Sequence, residues 1–104
     1  MANPYAGEVA LTLDGQRHCL KLTLGALAEL EARLEAGSLT ELVARFEGDS
    51  LRARDVLMLI AAGLRGAGWE GDLPDLLRAE IEGGPMEAAR VAARLLALAF
   101  RVPT

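Results

Sequence analysis

The passage from Gly7 to Glu31 constrains the fold most, because its hydrophobic period changes from two residues to about 3.6 without a break. Apolar and polar residues alternate over residues 9–14 and again over 20–24. Asp14-Gly15 lies between the two runs, and Asp-Gly is a strong hairpin signal. The passage therefore predicts a β-hairpin that leads directly into a helix, with a loop of either two residues or the four from Asp14 to Arg17.

The two predicted strands share one apolar face. Both loop lengths give the same cross-strand parity, so the choice of loop does not change which residues lie together. The inward face then comprises Val9, Leu11, Leu13, His18, Leu20 and Leu22. An isolated two-stranded hairpin is marginally stable in water, so this face needs a cover of helices.

Helical periodicity and boundary residues predict five helices after the hairpin. The first runs from the capping residue Thr23 to Gly37, and the second follows a capping box at Ser38-Leu39-Thr40-Glu41. The third, about Arg52 to Arg65, is apolar on most of its circumference, which predicts a buried central helix. The fourth begins at Asp72-Leu73-Pro74-Asp75, and the fifth spans Met86 to Phe100.

Each flanking helix has an expected inward stripe. The expected stripes are Leu24, Leu27, Leu30 and Leu34 in the first helix, Leu39, Leu42, Val43 and Phe46 in the second, Leu73, Leu76, Leu77 and Ile81 in the fourth, and Met86, Ala89, Ala93, Leu96 and Phe100 in the fifth. Val91, Leu95 and Leu98 widen the last stripe. The fold class predicted is α+β, mainly helical, with the N-terminal hairpin packed on the helices.

Length and composition favour a single domain over residues 1–104. The chain has 104 residues, of which 52% are hydrophobic, so it can form one hydrophobic core, whereas two separate cores would each be too small. We expect a loosely held leader at 1–6, the hairpin at 7–23 and the helical part at 24–101. The formal charge of −4, with arginines scattered among glutamates, argues against nucleic acid as the main partner.

The chain offers no targeting or membrane signal. No basic segment precedes an apolar run at the N-terminus, and the apolar stretches are shorter than the roughly 20 residues that span a bilayer. A lone cysteine, Cys19, suits a reducing compartment. We therefore expect a cytoplasmic protein that does not bind membranes.

Residues that could carry chemistry are few and poorly placed. His18 and Cys19 are each the only residue of their type, and neighbours on a strand point to opposite faces, so neither catalysis nor a zinc site is expected. Gly63, Gly66 and Gly68 resemble a phosphate loop but end a helix instead of starting one. A DNA-binding helix-turn-helix over 50–82 is not favoured, because its second helix would present only Arg78 among several acidic residues and would attract phosphate poorly. We predict a protein that is not an enzyme and has no cofactor or metal.

Two surface features are candidates for binding a partner protein. An apolar groove bordered by Leu57, Leu64, Trp69 and Met86 could capture a segment of a partner. Trp69 itself is expected to lie in the core, and the alternative is that it lies at an interface. Arg90 and Arg94, with Arg101, could meet an acidic partner helix. The simpler interpretation of these arginines is a solvated outer face balanced by Glu87.

Several phrases together carry a resemblance that covers nearly the whole chain. They are the start M-A-N-P-Y-A-G-E-V-A-L, the runs L-K-L-T-L-G-A-L-A-E-L-E, R-F-E-G and A-R-D-V-L-M-L-I-A-A-G-L-R-G-A-G-W, and the late I-E-G-G-P-M. In this order they resemble the small tail protein of gene transfer agents, phage-like particles made by bacteria, in a family grouped with phage tail assembly chaperones. The resemblance carries over no catalytic or binding residue.

The resemblance implies a role in assembling a phage-type tail. The implied partners are the tape-measure protein or the tail-tube subunits, which this protein would hold in a soluble form until polymerisation displaces it. The sequence leaves it undecided whether the protein forms a homo-oligomer. The alternative in another functional class is a structural minor tail component retained in the particle. A small transcriptional or enzymatic regulator is a third and weaker interpretation.

Overall fold

The computed structural model describes residues 7–33, 38–48 and 50–100, and it begins with the expected hairpin. Strands β1 (Glu8–Leu13) and β2 (Gln16–Lys21) pair antiparallel, with Leu13 opposite Gln16 at the loop. The loop is the two-residue alternative, since Asp14 and Gly15 have φ angles of 48° and 79°. Two consecutive positive φ angles belong to the turn whose twist matches that of paired strands.

The apolar face of the hairpin lies against the helices as predicted. Leu11 pairs with His18 and Val9 with Leu20, so the expected cross-strand parity is confirmed. The strand residues buried on this face are Val9, Leu11, Leu13 and Leu20, followed by Leu22 just after β2. Cys19 pairs with Ala10 on the opposite face and is half-buried there.

Five helices follow in the described part of the chain, which confirms the mainly helical α+β class. They are α1 (Leu24–Arg33), α2 (Ser38–Glu47), α3 (Ala53–Gly66), α4 (Leu73–Arg78) and α5 (Gly84–Ala99). The predicted Thr23 cap is present, since its hydroxyl accepts from the Ala26 N–H at 3.0 Å. At the predicted start of the fourth helix, the Asp72 carboxylate accepts from the Leu73 N–H at 2.8 Å. Both satisfy amide donors that a helix start leaves without a partner.

Helix α3 lies at the centre of the fold, as its apolar circumference predicts. It packs against β2, α1, α4 and α5. Leu59, Ile60 and Leu64 are fully enclosed. Its start is fixed by Asp55, whose Oδ2 accepts from the Arg52 N–H at 2.9 Å.

Glycines let α3 approach the hairpin closely. A Cβ on Gly66 would overlap the carbonyl oxygen of Lys21, and one on Gly63 would lie 2.9 Å from Leu95 Cδ1 and 3.1 Å from Leu20 Cβ. Any side chain at these positions would push β2 or α5 away from the helix. Gly63 and Gly66, two of the three glycines that resemble a phosphate loop in the sequence, thus have a packing role.

A buried ion pair joins α2 to α3. The Arg45 Nε–H and Nη2–H donate to the two carboxylate oxygens of Asp55, each at 2.9 Å, and Asp55 is buried. Burial by itself raises the pKa of the Asp55 carboxyl, but the hydrogen bonds from Arg45 and Arg52 outweigh it and leave the pKa below its usual value. The pair therefore stabilises the ionised carboxylate.

The segment after α4 differs from the prediction. Helix α4 ends at Arg78, and Ile81 forms an isolated bridge to Leu13 instead of continuing the helical stripe. Asp14 N–H donates to the Glu80 carbonyl at 2.9 Å, and Glu82 N–H donates to the Thr12 carbonyl at 3.0 Å. The chain thus runs beside the outer edge of β1, where the strand's backbone groups need partners.

Four apolar residues assigned to inward stripes are exposed instead. They are Leu24 (87% exposed), Leu77 (66%), Met86 (83%) and Phe100 (44%). These residues lie at or near helix ends, where exposure depends on which neighbouring element covers the helix. The buried stripe of α5 is Ala88, Val91, Ala92, Leu95 and Leu96, so placing Ala89 and Ala93 at its centre is wrong.

Some predictions fall on parts of the chain that the structure does not describe. The leader at 1–6, Leu34 and Gly37 at the end of the first helix, and Arg101 lie outside the described residues. The side chains of Ser38 and Leu39 do as well, which leaves the predicted capping box without a test.

Candidate partner-binding surface

An open groove of about 930 Å³ lies between the N-terminal ends of α3 and α5. One wall is the segment from Leu51 to Leu57, and the other is formed by residues 79–85 with the first turns of α5. Most of the lining is apolar. We call it the apolar groove, and its lining residues are Leu51, Ala53, Val56, Leu57, Ala79, Glu80, Ile81, Glu82, Gly83, Gly84, Pro85, Ala88 and Ala89.

Local sequence explains why the groove stays open. Gly83 and Gly84 have φ angles of 90° and 68°, a conformation that favours glycine, and they turn the chain sharply from the bridge to β1 into α5. Pro85 follows in the first helical turn, where it loses no hydrogen bond. Only small residues, Ala88 and Ala89, project from α5 at this level, so the space beside α3 is left unfilled.

A smaller cleft of about 330 Å³ adjoins the groove on the other side of α3. It is lined by Arg33, Arg54, Leu57, Met58, Leu73 and Leu77. Leu57 borders both depressions, and Leu77 is one of the exposed apolar residues. The apolar surface therefore continues from the groove across Leu57 to α4.

Charged side chains border this surface unevenly. Glu80 and Glu82 are exposed and line the apolar groove, and no Lys or Arg of the described ranges lines it. A separate polar pocket beyond Glu82 includes Arg17 and Arg90. The wall of the groove at residues 79–84 is therefore acidic, and we call it the acidic wall.

Arg90 is already paired on its own helix. Its Nε–H and Nη2–H donate to the Glu87 carboxylate oxygens at 2.8 and 2.7 Å. This pairing lowers the pKa of the Glu87 carboxyl and raises that of the Arg90 guanidinium. It is the arrangement expected of a solvated helix face balanced by Glu87.

The structure separates the residues proposed from the sequence as a binding site. Leu57 lines the apolar groove, and Met86 is exposed immediately after Pro85. Leu64 is 0% exposed and packs in the core, so its side chain does not border a groove. Trp69 is half-buried against the core, with its ring beside Gly71, and Arg94 is exposed on α5.

Five residues that line the apolar groove were not proposed from the sequence as binding residues: Leu51, Glu80, Ile81, Glu82 and Pro85. The signal for this wall was weak: Ala79-Glu80-Ile81-Glu82 alternates apolar and polar residues over only four positions, which is the shortest strand pattern. Gly83-Gly84-Pro85 predicts a turn but not what the turn faces.

Membrane-spanning helices and metal-binding clusters are the two remaining features of the described residues that concern function. None of the helices in the described ranges is long and apolar enough to cross a membrane. Within residues 7–33, 38–48 and 50–100, no cluster of three or more His, Cys, Asp or Glu residues is arranged to hold a metal ion.

Fold and surface together define a small, mainly helical α+β protein with an open groove that has an apolar lining and one acidic wall. Residues 6–102 match the family described as "Phage tail tube protein, GTA-gp10", and the chain belongs to that family. It is a tail protein of the gene transfer agent type, which confirms the resemblance seen in the sequence. Comparisons with curated proteins and with solved structures gave no match.

Proposed function

We propose that this protein is a tail assembly chaperone that binds tape-measure or tail-tube protein before polymerisation. Family membership supports a role in a phage-type tail. The observation that carries the finer proposal is the apolar groove, because an open apolar groove between helices suits the capture of a segment of another polypeptide. The protein would act in the cytoplasm as one domain, without nucleic acid, membrane or cofactor.

A chaperone must release its client, so the affinity should be moderate. A dissociation constant on the order of micromolar corresponds to about 8 kcal/mol. The groove fits this need, since it is open to solvent and supplies apolar area without deep enclosure. Mainly apolar contacts would also change little between low and physiological salt, whereas phosphate binding loses affinity by powers of ten.

Titration calorimetry with the full chain tests this proposal. Tape-measure fragments and tail-tube protein are titrated at low and physiological salt, with duplex DNA as the alternative ligand. The proposal predicts micromolar binding of a tail protein at both salt concentrations. Binding of DNA alone would contradict it.

A matched pair of alanines on α5 locates the contact. Ala89 lines the apolar groove, whereas Ala97 is exposed about two turns further along the same helix. Ala89→Gln places an amide in the groove and should weaken client binding about tenfold, because burying an unpaired amide costs about 1–3 kcal/mol. Ala97→Gln should leave the affinity unchanged, and equal effects of the two substitutions would remove the groove from the proposal.

The second candidate function is a structural minor component of the tail. The family description, which names a tail tube protein, favours it. Quantitative mass spectrometry of purified particles separates the two: a chaperone is absent or far below the tail-tube protein in amount, whereas a structural component is present at a fixed stoichiometry. A fixed stoichiometric presence would replace the chaperone proposal with the structural one.

A further inference from the structure

The acidic wall indicates what kind of segment the apolar groove can bind. Glu80 and Glu82 face solvent at the groove, and neither forms an ion pair with another described residue. The nearest cation beyond Glu82 on α5, Arg90, is occupied by Glu87. Arg17 lies on the far side of Glu82, in the separate polar pocket. A segment entering the groove therefore meets uncompensated negative charge along one side.

Several backbone groups of the acidic wall already have hydrogen-bond partners within the chain. Glu80 N–H donates to Asp14 Oδ1 at 2.8 Å, and its carbonyl accepts from Asp14 N–H at 2.9 Å. Glu82 N–H is bonded to the Thr12 carbonyl, and the Ile81 carbonyl accepts from Gly84 N–H at 2.9 Å. An extended peptide gains affinity by pairing with free backbone groups at a sheet edge. Four backbone groups of this wall are therefore already bonded within the chain and are not free to pair with such a peptide.

The opposite wall excludes strand pairing for another reason. The residues from Ala53 onward are helical, and their backbone groups are bonded within α3. A bound segment must therefore satisfy its own backbone hydrogen bonds. A helix does so, and an extended chain does not.

We propose that the apolar groove binds an amphipathic helix of a tail protein, with Lys or Arg along the flank that faces Glu80 and Glu82. The apolar side chains of that helix recur at three- and four-residue spacing and pack on Leu57, Ile81 and Pro85. The two glutamates select basic-flanked helices and reject acidic-flanked ones, since like charges at an interface are costly. The identity of the helix donor rests on the proposed function, whereas its chemistry rests on the groove alone.

Three synthetic peptides test the chemistry directly. Each is about 14 residues long, or roughly four helical turns, and carries the same leucine stripe with a flank of Lys, Gln or Glu. Fluorescence anisotropy with the full chain should show the Lys peptide binding about tenfold more tightly than the Glu peptide at low salt, with the Gln peptide between them. Circular dichroism should show that peptide helicity rises on binding.

Charge reversal of the wall supplies the matched control. Glu80→Lys with Glu82→Lys should reverse the order of the Lys and Glu peptides, and the substitutions spare the wall's backbone hydrogen bonds. Glu47→Lys with Glu70→Lys changes the net charge equally at exposed positions that line none of the described depressions near α3 and α5, and should leave the order intact. An unchanged order in the wall variant, an equal effect of the control pair, or a bound peptide without helicity would each overturn the proposal.

The same variants separate this inference from the proposed function. If tail proteins bind the full chain and the wall variant binds them equally well, the chaperone role stands and the selectivity for a basic flank is wrong. If the peptide order reverses as expected but neither tape-measure nor tail-tube protein binds, the groove chemistry stands and the chaperone role is wrong.

Discussion

The two halves of α3 are built from similar apolar residues but meet opposite surroundings. Towards its C-terminal end, Ile60 and Leu64 are enclosed by the hairpin and neighbouring helices, and Gly66 brings the backbone of β2 against the helix. At its N-terminal end, Leu57 is half-buried and faces the open groove. Apolar composition therefore does not decide whether a helical face becomes core or binding surface. The size of the residues on the facing element decides it.

The largest expected effect comes from truncating the enclosed half. Leu20→Ala should lower the free energy of unfolding by about 2–5 kcal/mol, because Leu20 is fully buried where β2 crosses α3. Leu57→Ala at the groove should cost less than about 1.5 kcal/mol, since its side chain is only partly buried. Urea denaturation measures both, and equal losses would break the comparison.

The second effect concerns the ion pair that joins α2 to α3. Asp55→Asn removes a carboxylate that accepts from Arg45 and from the Arg52 N–H, and should lower stability at neutral pH by about 1.5–3 kcal/mol. The pKa of Asp55 is lower in the folded protein than its ordinary value. Its stabilising contribution is therefore present above the unfolded pKa of about 3.9 and is lost as the pH falls through the folded pKa.

Denaturation as a function of pH checks this sign. The wild-type protein should lose stability below about pH 4 more steeply than Asp55→Asn, because only the wild type protonates this carboxyl on acidification. If the stability of the two proteins fell equally steeply below about pH 4, other carboxyl groups would account for the loss of stability.

The third effect tests the close approach at the enclosed end. Gly66→Ala should destabilise by about 1–3 kcal/mol, since its Cβ would meet the Lys21 carbonyl. Gly25→Ala in α1 is the control: an added Cβ there meets nothing closer than 3.9 Å, so removing a helical glycine should stabilise by about 0.5–1 kcal/mol. Thermal unfolding would contradict the account if both substitutions had the same sign.

The smallest effect is expected on the outer face of the hairpin. Cys19→Ser should change stability by less than about 0.5 kcal/mol and leave client binding intact, because Cys19 is only half-buried and lies away from both halves of α3. A loss of binding with folding preserved would revive a chemical role for the thiol.

The sequence predicted the elements of the fold better than it predicted the surface. The hairpin face, the Thr23 cap and the central α3 follow from local pattern, and each is present. The stripes failed at their ends, as at Leu24 and Met86, because exposure there depends on which neighbour covers the helix end. Leu57 was found as a candidate surface residue, whereas Leu64 was misplaced because periodicity alone does not distinguish core from groove.

The acidic wall could not be predicted, for a physical reason. Its position depends on the pairing of residues 80–82 with β1, and the partners are more than 60 residues apart, as the Glu80 to Asp14 hydrogen bond shows. Local propensity carries no information on such a contact. The helical stripe predicted from the sequence continued to Ile81, but α4 ends at Arg78 and the next residues lie along the free edge of β1.

Hydrogen exchange of the full chain with and without a bound tail protein fragment tests the central claim most directly. Mass spectrometry should show protection on binding in peptides that cover residues 51–57 and 79–89. No change is expected at β2 or at the C-terminal half of α3, where burial should already make amide exchange slow. Protection confined to the hairpin, or none at a saturating concentration of bound fragment, would contradict the assignment of the apolar groove as the binding surface.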